Sequence, residues 1–345
     1  MIAQAQTRMA SEAAEAPDRI ALQAEVLAAP LRELARWWSE SPPSAIVTCA
    51  RGSSDHAALF GKYALEQATG RPVASLGPSL ASVYETSLRL DGMLFITASQ
   101  SGQSPDLLRS AQTAKAGGAL VVGIVNDPLS PLAAAADIVL DMHAGPEHAV
   151  AATKSFLCTL TTFVRLIAAI TSSSEIAGAL DRLPEQLRVG SGDPWGNWIV
   201  SQFCDAQRAF IIGRGTGLGI AAEAALKLKE VAGLHAEAFS AAEVHHGPKA
   251  AVGTDSPVIV LGSEDAARTS LDEAACSLRA FGPAVFGSLV NVEGVMALPT
   301  VRTGHPLTQP VAQAAAFYQF AEELSRRRGL DPDNPPSLSK VTKTL

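Results

Sequence analysis

Short apolar runs alternate along the first half of the chain with longer segments whose apolar residues recur at helical spacing. Residues 45–50 (Ala-Ile-Val-Thr-Cys-Ala), 93–98 and 119–125 are short apolar runs, and each ends at a polar or Gly-containing turn. Residues 57–68 and 106–117 carry the helical period between them. Strands that alternate with helices predict a parallel sheet with right-handed crossovers, where ligands bind at the carboxyl ends of the strands.

The segment before the first strand has the pattern of one amphipathic helix over residues 18–40. Its apolar residues recur near helical spacing and stop at Ser41-Pro42-Pro43, which cannot continue a helix. They are Ile20, Leu22, Leu27, Leu31, Leu34 and Trp38.

The second half of the chain repeats the first. Residues 209–216 match residues 45–53 in character, with Arg-Gly following an apolar run at an offset of 163 positions. Gly70 and Gly233 share that offset, and residues 257–263 match the second strand of the first half at nearly the same one. We therefore expect two copies of one α/β unit.

This organisation predicts an α/β protein of two tandem domains, each a parallel sheet flanked by helices in the doubly wound, flavodoxin-like manner. A helical stretch near residues 153–170 and a Gly/Pro-containing linker at 190–194 are expected to join them. The expected divisions are a helical segment at 1–40, domains at 41–190 and 195–330, and an irregular tail at 331–345.

Composition and charge argue against several classes of protein. The 345 residues are 47% hydrophobic and 18% charged, enough apolar mass for large cores, and the net charge of −7 argues against nucleic-acid binding. Four separated cysteines with no C-x-x-C pair indicate free thiols rather than disulfides or zinc. No apolar run approaches the ~18 residues of a membrane span, so we expect a cytoplasmic protein with no membrane partner.

The loop Ser99-Gln-Ser-Gly-Gln-Ser104 lies between an apolar strand and a helix. It offers hydroxyl and backbone N–H groups at the positive end of that helix, which is a ready site for an anion such as phosphate. The alternative is that the serines only cap the helix. Ser53, after the preceding strand, could line the same cleft.

Glu223, Lys227 and Glu230 fall at i, i+4 and i+7, so they share one helix face. Spacing alone favours a solvated ion pair, whereas the surrounding Ala, Leu and Val residues favour carboxylates poised for acid–base chemistry. The formal G-x-G-x-x-A match at residues 217–222 is discounted as a dinucleotide site because its glycines run into the helix.

His245 and His246 occupy a Gly-Pro loop. A metal pair is conceivable, but no cysteine or further histidine lies at ligand spacing, so a proton shuttle is favoured and no metal is expected.

Together these pieces resemble the isomerase half of the glucosamine-6-phosphate synthase family, which consists of two sugar-isomerase (SIS) domains. The resemblance runs over nearly the whole chain. The matching motifs are Gly52-Ser53, SQSG at 99–102, ATK at 152–154, GRG at 213–215, EAALKLKE at 223–230, HAEA at 235–238, and Glu243 through His246-Gly247-Pro248.

The resemblance implies a role for each matching residue. Glu230 would move a proton between C1 and C2, His246 would open the sugar ring, Lys340 would form a Schiff base with the ketose, and Lys227 would support them. It also implies a homodimer in which the histidine comes from the partner chain, with no cofactor. The implied substrate-binding residues are Ser53, Ser99, Gln100, Ser101, Ser104, Val150, Ala152 and Glu223.

Three departures from the family pattern bear on function. Ala152 replaces a hydroxyl residue, and the sequence after Lys340 differs, which leaves Lys343 as another candidate lysine. The family's glutaminase nucleophile is an N-terminal cysteine, whereas Ile2 follows Met1 here, so we expect no glutamine hydrolysis. The resemblance then implies deamination of glucosamine 6-phosphate to fructose 6-phosphate and ammonia. Alternatives are a fructosamine-phosphate deglycase and a non-catalytic sugar-phosphate sensor.

Overall fold

The computed structural model of the protein describes residues 6–190 and 195–340; Lys343 and most of the expected linker lie outside them. The strands are β1 (Ile46–Ala50), β2 (Val73–Ser75), β3 (Leu94–Ser99), β4 (Leu120–Val125), β5 (Ile138–Asp141), β6 (Arg208–Gly213), β7 (His235–Ser240), β8 (Val258–Leu261), β9 (Val285–Ser288) and β10 (Met296–Leu298). The α-helices are α1 (Arg8–Ala14), α2 (Ala16–Val26), α3 (Ala28–Glu40), α4 (Gly52–Thr69), α5 (Ser79–Ser82), α6 (Pro105–Ala116), α7 (Pro131–Ala135), α8 (Lys154–Thr171), α9 (Ser174–Val189), α10 (Gly196–Phe203), α11 (Thr216–Ala232), α12 (Arg268–Arg279) and α13 (Gln309–Arg327).

The chain divides into two compact units. The first sheet unit consists of Asp18–Pro146 and Ser155–Asp181. Its five parallel strands lie in the order β2-β1-β3-β4-β5. Every residue of β1 and β3 is buried, as expected for parallel strands with helices packed on them. The predicted strands at 45–50, 93–98 and 119–125 are confirmed as β1, β3 and β4 within one residue.

The second sheet unit contains Glu147–Lys154 and Arg182–Lys340, together with the chain up to Pro17. Its strands lie in the order β7-β6-β8-β9-β10, which is the order of the first sheet, and all neighbouring pairs are parallel. The predicted repeat and the doubly wound α/β fold class are therefore confirmed. Gly70 and Gly233 end α4 and α11 in the same left-handed conformation, with φ of 66° and 57°.

The prediction of one helix over residues 18–40 is wrong. Two helices, α2 and α3, meet at Leu27. Pro30 explains the break, because it has no N–H to donate to the Val26 carbonyl and its ring collides with that group in a continuous helix. The apolar period continues through the break, so periodicity alone could not reveal it.

Two carboxylates tie the N-terminal residues to the segment 147–154 of the second unit. Glu12 is 5% exposed and accepts hydrogen bonds from the backbone N–H groups of His148 (2.5 Å) and Ala149 (3.1 Å). Glu15 pairs with the buried Lys154 at 2.7 Å. These bonds explain why the second unit takes in stretches of chain that lie before and between parts of the first.

Helix α8 is the one described helix that is long and apolar enough to cross a membrane. Within the structure, 78% of its 18-residue apolar window is buried. Packing inside the protein therefore accounts for its composition.

Candidate active site

The neighbouring strands β1 and β3 end side by side at the carboxyl edge of the first sheet, where Ala50 pairs with Ala98. The strand order reverses between them, and ligands of doubly wound sheets bind at such a switch point. Helix α4 starts at Gly52, directly after β1, and α6 starts at Pro105, shortly after β3. Two helix N-termini, with free N–H groups and positive dipole ends, therefore meet this edge.

The serine loop, residues 99–104, connects β3 to α6 at this edge. The hydroxyl of Ser99 accepts a hydrogen bond from the N–H of Gly102 at 3.1 Å, and that of Ser101 accepts one from the backbone two residues on at 3.3 Å. Ser104 occupies the N-cap position of α6, but its side chain makes no capping hydrogen bond. Helix capping therefore does not account for this serine.

Several polar side chains of this region have no hydrogen-bond partner in the part of the chain that the structure describes. The half-buried side chains of Ser53, Gln100 and Ser104 make no hydrogen bond to any described residue. Gly102 shapes the loop, since its φ is +61° and a Cβ there would collide with Ser130. A fixed loop with free donors at two helix N-termini can bind an anion.

A cation that the sequence reading did not single out lies in the same region. Arg51 follows β1, and its Nε and Nη2 atoms lie 2.8 Å from the Asp106 carboxylate in the first turn of α6. Asp106 is fully buried, whereas the Arg51 side chain is 48% exposed. The carboxylate thus holds the guanidinium at the end of β1, so the site is not purely neutral. Arg51 and Asp106 both come shortly after the ends of predicted strands, and this position in the sequence could have suggested that the two residues meet.

The equivalent switch point of the second sheet, between β6 and β8, has different chemistry. The residues after β8 are Gly262, Ser263, Glu264 and Asp265. The Ser263 hydroxyl donates to Asp265 at 2.6 Å, and Glu264 pairs with Arg302. Two carboxylates disfavour an anion, so this loop is less suited to bind one than the serine loop is.

Helix α11 brings Glu223, Lys227 and Glu230 together inside the second unit. Lys227 and Glu223 are each 1% exposed, which excludes the solvated ion pair. The Lys227 ammonium lies 3.5 Å from Glu223 and forms a short hydrogen bond to Glu230. Burial alone would lower the pKa of Lys227, but the two carboxylates outweigh it and raise that pKa, so the ammonium stays charged.

Two further residues complete this cluster. Tyr318, buried on α13, donates to Glu223 at 3.2 Å. Burial and the Glu223 carboxylate raise the pKa of Tyr318 well above its usual value, so the phenol keeps its proton. Glu147 is close enough to contribute to the raised pKa of Lys227, and it also accepts a hydrogen bond from Lys340 at 2.9 Å. We call Glu147, Glu223, Lys227, Glu230, Tyr318 and Lys340 the acid–lysine cluster.

The structure does not bring every expected residue to this cluster. Val150 and Ala152 are half-buried in the stretch between Glu147 and Lys154. His246 is exposed at the end of a short 3₁₀ helix, Glu243–His246, and makes no hydrogen bond or ion pair with the described residues of the cluster.

Glu147 and Tyr318 were not found from the sequence. Glu147 precedes the matched ATK motif by five residues, and this position could have marked it as a candidate site residue. Tyr318 lies on α13 between the aromatic residues Phe317 and Phe320, and nothing in its spacing distinguishes it.

Comparisons with known proteins agree with this fold. The SIS domain family matches residues 41–169 and 202–293. A glutamine–fructose-6-phosphate aminotransferase (isomerizing) of Thermotoga maritima is 34% identical over 312 residues, 86% of this chain and 50% of that protein. This chain spans about half the length of the curated relatives it matches.

Two solved structures extend the comparison. A protein of Silicibacter pomeroyi DSS-3 assigned as a phosphosugar isomerase is 40% identical, with a TM-score of 0.91 over 95% of this chain and 100% of that one. The C-terminal domain of the glucosamine-fructose-6-phosphate aminotransferase of Francisella tularensis is 25% identical, with a TM-score of 0.84 over 97% of this chain and 100% of that one. With the repeated sheet order and the matched motifs, these likenesses show that the chain belongs to the SIS domain family.

Proposed function

We propose that this protein is a phosphosugar isomerase that deaminates a hexosamine 6-phosphate, glucosamine 6-phosphate being the leading candidate. The observation that carries the proposal is the acid–lysine cluster, where the partly exposed Glu230 pairs with the buried Lys227 and the Lys340 amine pairs with the buried Glu147. A protein that only senses a sugar phosphate has no need of such a network. The relatives named as isomerizing aminotransferases and as a phosphosugar isomerase support the same reaction type.

The serine loop supplies the phosphate affinity in this proposal. Hydroxyl and N–H donors at two helix N-termini stabilise the phosphate oxygens, and Arg51 adds a cation beside them.

Glu230 is the proposed base for the proton shift. After His246 assists ring opening to the aldehyde, Glu230 removes the C2 proton and returns it to C1, which converts the amino-aldehyde into an imine at C2. Its side chain is 23% exposed, so substrate can reach it, and the Lys227 ammonium contacts its carboxylate.

Lys340 is the proposed nucleophile for the release of nitrogen. Its amine adds to the C2 imine and displaces ammonia, forming a lysine imine, and water then hydrolyses that imine to the ketose phosphate and the free amine. The balance is hexosamine 6-phosphate plus water giving ketohexose 6-phosphate plus ammonia. No step needs a redox partner.

Ammonia release from a panel of hexosamine and fructosamine 6-phosphates tests the proposal, with glutamine as the negative control. We expect turnover of glucosamine 6-phosphate and none of glutamine. Turnover of fructosamine phosphates alone would favour the deglycase, and tight binding with no turnover of any member would favour a sensor.

Glu230→Gln is expected to bind substrate normally while losing exchange of the C1 and C2 protons with solvent deuterium, because only the base is removed. The measurement is NMR of the recovered sugar phosphate. Exchange at the wild-type rate would exclude Glu230 as the base.

Ser101→Ala is expected to raise KM about tenfold, since a hydrogen bond to a charged group contributes roughly 1.5 kcal/mol. The matched control is Ser263→Ala, in the equivalent loop of the second unit, for which KM should not change. Equal KM values for wild type and Ser101→Ala would remove this serine from the phosphate site.

We also propose a homodimer with shared sites, in which His246 of one chain serves the cluster of the other. Its exposure, and its lack of a bond to the cluster of its own chain, support this arrangement. When inactive His246→Ala and Glu230→Gln proteins are mixed, half of the dimers should be mixed and each should hold one intact site. Activity should then return to about a quarter of the wild-type value, from the two-fold symmetry. Mixed dimers without activity would place His246 in its own chain's site.

A further inference from the structure

The C-terminal lysine is held by a carboxylate from a distant part of the chain. Lys340 and Glu147 are separated by 193 positions, and the Lys340 ammonium lies 2.9 Å from Glu147 Oε2. The Glu147 side chain is 0% exposed, whereas that of Lys340 is 23% exposed. Thus the carboxylate is sealed inside the protein while the amine still reaches solvent.

Each oxygen of Glu147 has its own donor. Oε1 accepts the N–H of Thr153 at 3.0 Å, and Oε2 accepts the ammonium of Lys340. A buried carboxylate is tolerated only with such donors and a nearby cation. With both oxygens engaged, Glu147 is suited to hold a neighbour in place and is poorly suited to exchange protons with a substrate.

Little else orients the lysine. Residues 331–340 form turns and no regular element. Asp333 accepts the backbone N–H groups of Arg8 and Met9 at 2.8 Å, which fixes the start of the tail. Among described residues, Glu147 is the one hydrogen-bonding or ion-pairing partner of the Lys340 side chain. The direction of that amine therefore depends on Glu147.

We infer that Glu147 is a positioning residue that anchors the tail through Lys340 and sets the lysine amine in register with the base on α11. The inference rests on the proposed function, because it concerns how the imine-forming lysine is aimed. The Glu147 carboxylate also contributes to the raised pKa of Lys227, which contacts Glu230, so it acts electrostatically on the acid–base helix as well as pairing with the tail.

The first test is hydrogen exchange of the segment around Lys340. Exchange there should be faster in Glu147→Gln, whose side chain is nearly isosteric and still accepts the Thr153 N–H. It should also be faster in Lys340→Gln, which removes the exposed partner of the same ion pair. The matched control is Glu322→Gln: this carboxylate is 6% exposed, pairs with Arg326 and lies in the same unit. Wild-type exchange of the tail in both Glu147→Gln and Lys340→Gln would overturn the inference.

The second test is the rate of borohydride trapping of a ketose 6-phosphate on the protein. Misplacing a reacting group by about 1 Å costs on the order of 10²-fold, so Glu147→Gln should slow trapping by about 10- to 100-fold. KM should change much less, and Glu322→Gln should trap at the wild-type rate. In a Lys340→Ala background, Glu147→Gln should cause no further loss, because it acts through the lysine.

The outcomes separate the two claims. Wild-type trapping by Lys340→Ala would end the imine role proposed for Lys340, and the exchange of the tail would still decide whether Glu147 anchors it. Slow trapping in Lys340→Ala with normal trapping in Glu147→Gln would leave the proposed function intact and overturn the positioning role. Equal, multiplicative losses in both backgrounds would also overturn it.

Discussion

The charge of Lys227 must be balanced inside the protein, since its side chain is almost fully buried. An isolated ammonium in such a place would be strongly unfavourable. Three carboxylates compensate its charge: Glu223 and Glu230 on the same helix, and Glu147 from another segment. Each carboxylate then needs its own donors, which Tyr318 and Lys340 supply. One buried charge thereby links α11, α13, the stretch 147–154 and the C-terminal tail.

The two halves of the chain share one architecture but carry different polar side chains at equivalent positions. Both sheets have the same strand order, and both helices after the first strand end at a left-handed glycine. At the offset of 163 positions, Glu223 and Lys227 of α11 correspond to Phe60 and Ala64 of α4, which are buried apolar residues. In the first copy this helix is therefore a packing helix that accompanies the serine loop, and in the second it carries buried ion pairs and accompanies an acidic loop.

The difference between the two copies agrees with the different electrostatic needs of the two proposed roles. The proposed phosphate binding needs donors and positive ends of helices, and the serine loop, α4 and α6 offer them together with Arg51. The proposed proton shift needs a carboxylate that substrate can reach, and Glu230 is partly exposed beside the Lys227 ammonium. Under the proposed function, each copy of the repeat would meet one of these two requirements.

The sequence by itself indicated strands β1, β3, β4, β6 and β8, the repeat and the candidate groups, because apolar spacing and turn residues act over a few positions. It identified the shared face of Glu223, Lys227 and Glu230, but it left a solvated ion pair and a buried acid–base site both open, since spacing says nothing about what covers a helix. It also missed the break at Leu27, where Pro30 interrupts hydrogen bonding without changing the apolar period. Only the tertiary structure paired Arg51 with Asp106 and Lys340 with Glu147, because those contacts depend on how segments far apart in the chain pack together.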